Sequence, residues 1–213
     1  MGEIKDGQTL LFIGDSITDC GRRGPNYPLG DGYPALFRDL MTARWPERNI
    51  QYINKGIGGN RVTDLQMRWE DDVMRYKPEW LSIKIGINDE HSFVADPNNG
   101  VSPQRFREVY DSILQRTFSV WKPNLILISP FYISQDTVSG THRTKILQLI
   151  PEYIAVVKDM AAKYNAIYVP LHDIFQKHLE YRDADTFCPE PVHPYRSGHI
   201  IIARAIMHAI DES

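Results

Sequence analysis

Five short runs of β-branched and aliphatic residues recur along the chain, separated by longer stretches with helical periodicity. No other feature constrains the fold as much. The runs are Thr9–Gly14, Ile50–Asn54, Leu81–Gly86, Leu125–Ser129 and Ala166–Pro170. Helical spacing of apolar side chains marks Tyr33–Trp45, Thr63–Tyr76 (with Thr63 as a cap), Gln104–Trp121, Thr144–Tyr164 and Tyr195–Ile210. Pro151 is expected to kink or interrupt the fourth of these, because it lacks an N–H and its ring meets the preceding turn. Strands that are apolar at successive positions must be covered on both faces, as in a parallel sheet. Strict β/α alternation with right-handed crossovers then predicts a three-layer α/β/α sandwich around a mostly parallel five-stranded sheet. At 213 residues, with no internal repeat and no linker-like tract, the whole of 1–213 reads as one domain.

Composition narrows the function. The formal charge is only −3 and 24% of residues are charged, which gives no basic face for nucleic acid. No apolar run is long enough to span a bilayer. The start, MGEIKDGQTLLF, has no secretory-signal pattern, so a cytoplasmic location is the expectation. Two cysteines, Cys20 and Cys188, make no disulfide framework and have no metal-ligand spacing, and are read as free thiols.

In a parallel sheet the segments that follow the strands gather at one edge, where open α/β sheets bind ligands. Three of them here carry glycine followed by small polar groups: Gly14-Asp15-Ser16, Gly56-Ile57-Gly58-Gly59-Asn60 and Gly86-Ile87-Asn88-Asp89. Turn chemistry alone explains any one of these, and Ser16 alone would pass as a helix N-cap. Near the C-terminus, Glu190-Pro191-Val192-His193-Pro194 holds an imidazole in a proline-stiffened segment with an acid three residues before it. Serine, histidine and acid, with glycine N–H and asparagine amide donors nearby, are the parts needed for acyl transfer. The irregular stretch Cys20–Gly32, rich in glycine and proline, follows Ser16 directly and reads as a binding loop or lid.

These blocks, in this order and over the whole chain, resemble the SGNH hydrolases, also called GDSL-type esterases and lipases. Segments such as LFIGDSITDCGR, NKGIGGN, IKIGINDE and GHIIIARA look most like the acetyl xylan esterases and related carbohydrate deacetylases of that family. The resemblance implies a flavodoxin-like fold and a serine esterase that removes short acyl groups through an acyl-enzyme, with no metal and no cofactor. It maps the nucleophile to Ser16, the base to His193, and the oxyanion donors to the Ser16 N–H, the Gly59 N–H and the Asn88 amide. One position departs from the pattern: the family expects aspartate three before the histidine, and this chain has Glu190. Asp183 and Asp185 are the alternative acids.

Asp15, Asn60 and Tyr195, beside these blocks, are the candidate substrate contacts. For Asp15 a structural hydrogen-bonding role competes, since its side chain should point away from that of Ser16. Asp89 reads as a bracing acid, and the six histidines other than His193 as surface or core residues. The expected partner is a small-molecule or oligosaccharide ester, and a symmetric homo-oligomer would be unsurprising. Two rivals stand. One is a thioesterase or lysophospholipase with the same mechanism and a longer acyl chain. The other is a non-catalytic carbohydrate- or nucleotide-binding domain, although the last glycine of a dinucleotide fingerprint would fall at Arg61.

Overall fold

The computed structural model describes residues 2–212. Its sheet has five strands, β1 (Thr9–Gly14), β2 (Gln51–Asn54), β3 (Trp80–Lys84), β4 (Asn124–Ile128) and β5 (Ile167–Val169). Their order is β2-β1-β3-β4-β5 and every pairing is parallel. Side-chain alternation sorts the strands' apolar residues into two cores. Leu10, Phe12, Trp80, Ile126 and Ile128 join one; Leu11, Ile13, Leu81, Ile83, Leu125 and Leu127 join the other. Each fully buried aliphatic or aromatic side chain of this kind contributes about 1.5–3 kcal/mol. The doubly covered sheet expected from the sequence is what forms.

Helices α2 (Tyr33–Arg44), α7 (Leu171–Leu179) and α8 (Arg196–Asp211) cover the first core. The second is covered by α3 (Val62–Trp69, continued by a π-type turn over Glu70–Met74), α5 (Pro103–Phe118) and the C-terminal half of α6 (His142–Lys163). Two short helices begin at strand ends, α1 (Ser16–Asp19) and α4 (Ile87–Ala95). Periodicity reveals neither α4 nor α7: each has nine residues, and the Asn-Asp start of α4 reads as a turn.

The helix starts follow local capping chemistry. Ser102 accepts the Arg105 N–H and Thr141 accepts the Thr144 N–H. Helix α3 begins at Val62 with Arg61 at its N-cap position, so Thr63 lies inside the helix and is not its cap. Carboxylates take the N–H groups at its start: Asp64, in its own first turn, accepts from Arg61 N, and Asp89 of α4 accepts from Val62 N at 2.9 Å. Pro151 does not interrupt α6, which runs on through it. The proline lies on the exposed side of the helix, where water can take the carbonyl that loses its bond.

The segment Cys20–Gly32 contains neither helix nor strand, as expected, yet it is pinned. Buried Asn54, at the end of β2, donates to the carbonyls of Thr18 (2.7 Å) and Leu29 (2.8 Å) and accepts from Gly56 N. Arg22 Nε reaches the Gly56 carbonyl at 2.6 Å. Gly56 is required at this crossing, because a Cβ there would overlap the Asp19 backbone.

Candidate active site

Parallel strands deliver Ser16, Gly59 and Asn88 to one edge of the sheet. Ser16 is the first residue of α1, immediately after β1, so its N–H has no acceptor within that helix. Its Oγ lies 2.8 Å from His193 Nε2, and His193 Nδ1 lies 2.5 Å from Glu190 Oε1. Glu190 accepts the Nδ1–H, which leaves Nε2 free to take the Ser16 hydroxyl proton. Neither Asp183 nor Asp185 contacts the ring among the described residues, so the acid paired with His193 is Glu190.

Glu190 does more than face the imidazole. Its Oε1 also accepts the His193 N–H at 2.7 Å, and Oε2 accepts the Val192 N–H at 3.0 Å. Burial alone would raise this carboxyl. The two backbone donors, together with the ring N–H and charge of His193, outweigh that and hold it below the ordinary glutamate range. The turn is tied down from outside as well, since Ile133 N donates to Pro191 O and Tyr195 N to Phe187 O.

Asp15 is a correction. It is fully buried and so cannot contact substrate. One of its oxygens accepts the Ile17 N–H at 3.0 Å and caps α1; the other pairs with Lys84 Nζ at 3.0 Å, both side chains having no exposure. Burial pushes the Lys84 ammonium down from its ordinary range, against the attraction of Asp15. Lys84 went unread in the sequence. The signal was there, since a lone lysine inside the apolar run WLSIKIGI is costly unless it is paired.

Arg68 was missed too. Its guanidinium ties the end of β1 to the loop between β2 and α3: Nη2 donates to Gly14 O (3.1 Å), Nη1 to Lys55 O (2.7 Å) and Asp72, and Nε to Asn60 Oδ1 (2.8 Å). Asn60 thereby helps to hold these segments together through its side-chain oxygen. Its carbonyl also accepts from Asn88 Nδ2 at 3.0 Å, which orients the Asn88 amide and leaves its second hydrogen available. Gly59 adopts φ +77, a conformation that favours glycine, and a Cβ built at neighbouring Gly58 would lie 3.9 Å from Ser16 Cβ. Tyr195 caps α8, is 48% exposed, and does not line the cleft beside Ser16.

Cys20 has a histidine partner that the sequence did not suggest, His199 Nε2 at 3.2 Å. Burial pushes this thiol up to about 12, so it stays protonated and is a poor nucleophile. Residue His199 is buried on α8, as expected, and its Nδ1 accepts the Tyr33 N–H.

Helix α4 carries, next to Asn88, two buried acids. Asp89 braces α3, as expected, and burial pushes it up to about 8. Burial pushes Glu90 up to about 9, with neither oxygen hydrogen-bonded among the described residues. The folded protein therefore keeps a proton that the unfolded chain releases above the ordinary value of 4.5. The cost of that grows as pH rises between the two values. Glu90→Gln, which carries no charge, should stabilise the protein by roughly 3 kcal/mol at pH 7 and by nothing at acid pH. Urea unfolding of both proteins at the two pH values measures this; an equal difference at both would refute it.

Comparison with known proteins agrees with this geometry. Residues 12–201 match the model of the GDSL-like lipase/acylhydrolase family. The chain is 38% identical over 216 residues to an acetylxylan esterase of Geobacillus stearothermophilus, covering 98% of this chain and 96% of that protein. The crystal structure of that esterase superposes with a TM-score of 0.88 at 37% identity, over 97% of this chain and 95% of the other. Three solved catalytic mutants of it replace a serine, an aspartate or a histidine with alanine. An α/β hydrolase from the metagenome of Lake Arreo, Spain, superposes with a TM-score of 0.88 at 29% identity, over 98% and 97% of the two chains. Fold, site geometry and sequence together establish that the chain belongs to the GDSL-like lipase/acylhydrolase family.

Proposed function

We propose that the protein is a serine esterase that removes acetyl groups from carbohydrate esters, with Ser16 as nucleophile, His193 as base and Glu190 as the acid that orients it. The observation that carries this is the continuous chain Ser16 Oγ–His193–Glu190, at 2.8 and 2.5 Å, at the carboxyl edge of a parallel sheet. Ser16 Oγ attacks the acetyl carbonyl as its proton passes to His193 Nε2. The oxyanion is met by the N–H groups of Ser16 and Gly59 and by the free hydrogen of the Asn88 amide, each such donor being worth about 3–4 kcal/mol in the transition state. Collapse of this intermediate expels the sugar oxygen, which takes the proton from His193. Water, deprotonated by the same ring, then releases acetate from Ser16.

The short acyl chain and the sugar rest on the relatives, since the chain is 38% identical to an acetylxylan esterase over nearly its whole length. Rates on the p-nitrophenyl esters of acetate, butyrate and octanoate, and on acetylated xylooligosaccharides, test the reading. Acetate should exceed octanoate by about a hundredfold, equivalent to a cost of about 2.8 kcal/mol for a chain that the acyl site cannot seat. Preference for octanoate would instead favour a lysophospholipase or thioesterase.

A further inference from the structure

Ser16 and His193 open onto a cleft walled by the 20–32 segment and the start of α8. Of the catalytic residues, Ser16 and His193 line it, while Gly59 and Asn88 are not among its lining residues. With the carbonyl oxygen turned to the donors, the leaving oxygen must face His193 Nε2 to receive its proton. The alcohol attached to it then extends into the cleft.

The floor is uncharged. Cys20 is held as a thiol, and burial pushes His199 down to about 4. The rim, in contrast, carries one full charge of each sign, Asp31 and Arg196. Both are exposed, and neither side chain has a hydrogen bond or ion pair among the described residues. Arg196 is also the first residue of α8, where the helix dipole opposes a cation, and the first turn holds no acid to compensate. A charge set against local preference and left unpaired adds nothing to the fold, and such departures concentrate at functional positions.

Resting on the esterase reading above, we propose that Asp31 and Arg196 form the subsite for the leaving alcohol and bind the hydroxyl groups of its sugar ring. The carboxylate accepts from hydroxyls and the guanidinium donates to hydroxyl or ring oxygens, both through charge-assisted bonds. An aryl alcohol offers no hydroxyls to either group, so the pair discriminates between leaving groups without touching the reacting atoms.

Steady-state kinetics of Asp31→Ala and Arg196→Ala on acetylated xylooligosaccharides and on p-nitrophenyl acetate test this. Each variant should raise KM for the sugar ester about tenfold with kcat little changed, the signature of lost ground-state binding. Turnover of p-nitrophenyl acetate should stay within about twofold, which also reports that the site is folded. Sugar-ester kinetics unchanged in both variants would overturn the subsite while leaving the esterase reading intact. Equal losses on both substrates would overturn it too, by showing a role common to all esters. Should the unmodified protein hydrolyse p-nitrophenyl acetate but no sugar acetate, the carbohydrate reading and the subsite fall together.

Discussion

Ser16→Ala will lower kcat/KM for p-nitrophenyl acetate by a factor on the order of 10⁵–10⁶ and will leave the fold untouched. A triad acts as a unit, and without the nucleophile only oxyanion binding and proximity remain. The only side-chain partner of Ser16 Oγ among the described residues is His193, so alanine empties no core and leaves no buried polar group unpaired. The change in stability should stay below about 0.5 kcal/mol. Glu190→Gln should behave differently. Its amide must either face the Val192 N–H donor to donor, or flip and present N–H groups to Nδ1. The flipped form selects the tautomer with a hydrogen on Nε2, which cannot accept from Ser16. A loss of about 10³–10⁴ in kcat follows, with a loosened 187–195 turn. Residual esterase activity in Ser16→Ala within tenfold of the unmodified protein would remove Ser16 from the mechanism.

How much of this was legible from residues alone follows a physical line. Strand positions were readable to within two residues, because doubly buried strands must be apolar throughout and end at glycine or a polar turn. Ser16, Asn88 and His193 were readable for a related reason: the parallel sheet brings strand ends together whatever the intervening helices do. What the sequence could not show was pairing across long separations. Arg68 looks like any helix-surface arginine until Gly14, Lys55 and Asn60 come within 3.1 Å of it. Cys20 and His199 are 179 positions apart. Asp15 was a candidate substrate contact by proximity to the nucleophile, but the competing structural role holds, because it caps α1 and pairs with buried Lys84. The short helices α4 and α7 escaped because nine residues carry too few turns for a period to stand out.

Breaking the Asp15–Lys84 pair from the lysine side should destabilise the fold severely. Lys84→Met keeps the unbranched stem and its packing near the Phe131 ring, whose centroid lies 4.9 Å from Nζ, while deleting the charge. Asp15 is then an uncompensated carboxylate with no exposure, held by one N–H bond from Ile17. Removing one member of such a buried pair costs about 3–5 kcal/mol. Activity should fall with stability, because Asp15 caps the helix that begins at Ser16. The double variant Asp15→Asn/Lys84→Met separates charge from shape. Asparagine still accepts the Ile17 N–H and brings no charge, so most of the loss should return. Urea unfolding of the unmodified protein and of both variants measures this. A loss below about 1 kcal/mol for Lys84→Met, or a double variant no better than the single, would mean that the pair does not hold the strand end beneath the nucleophile.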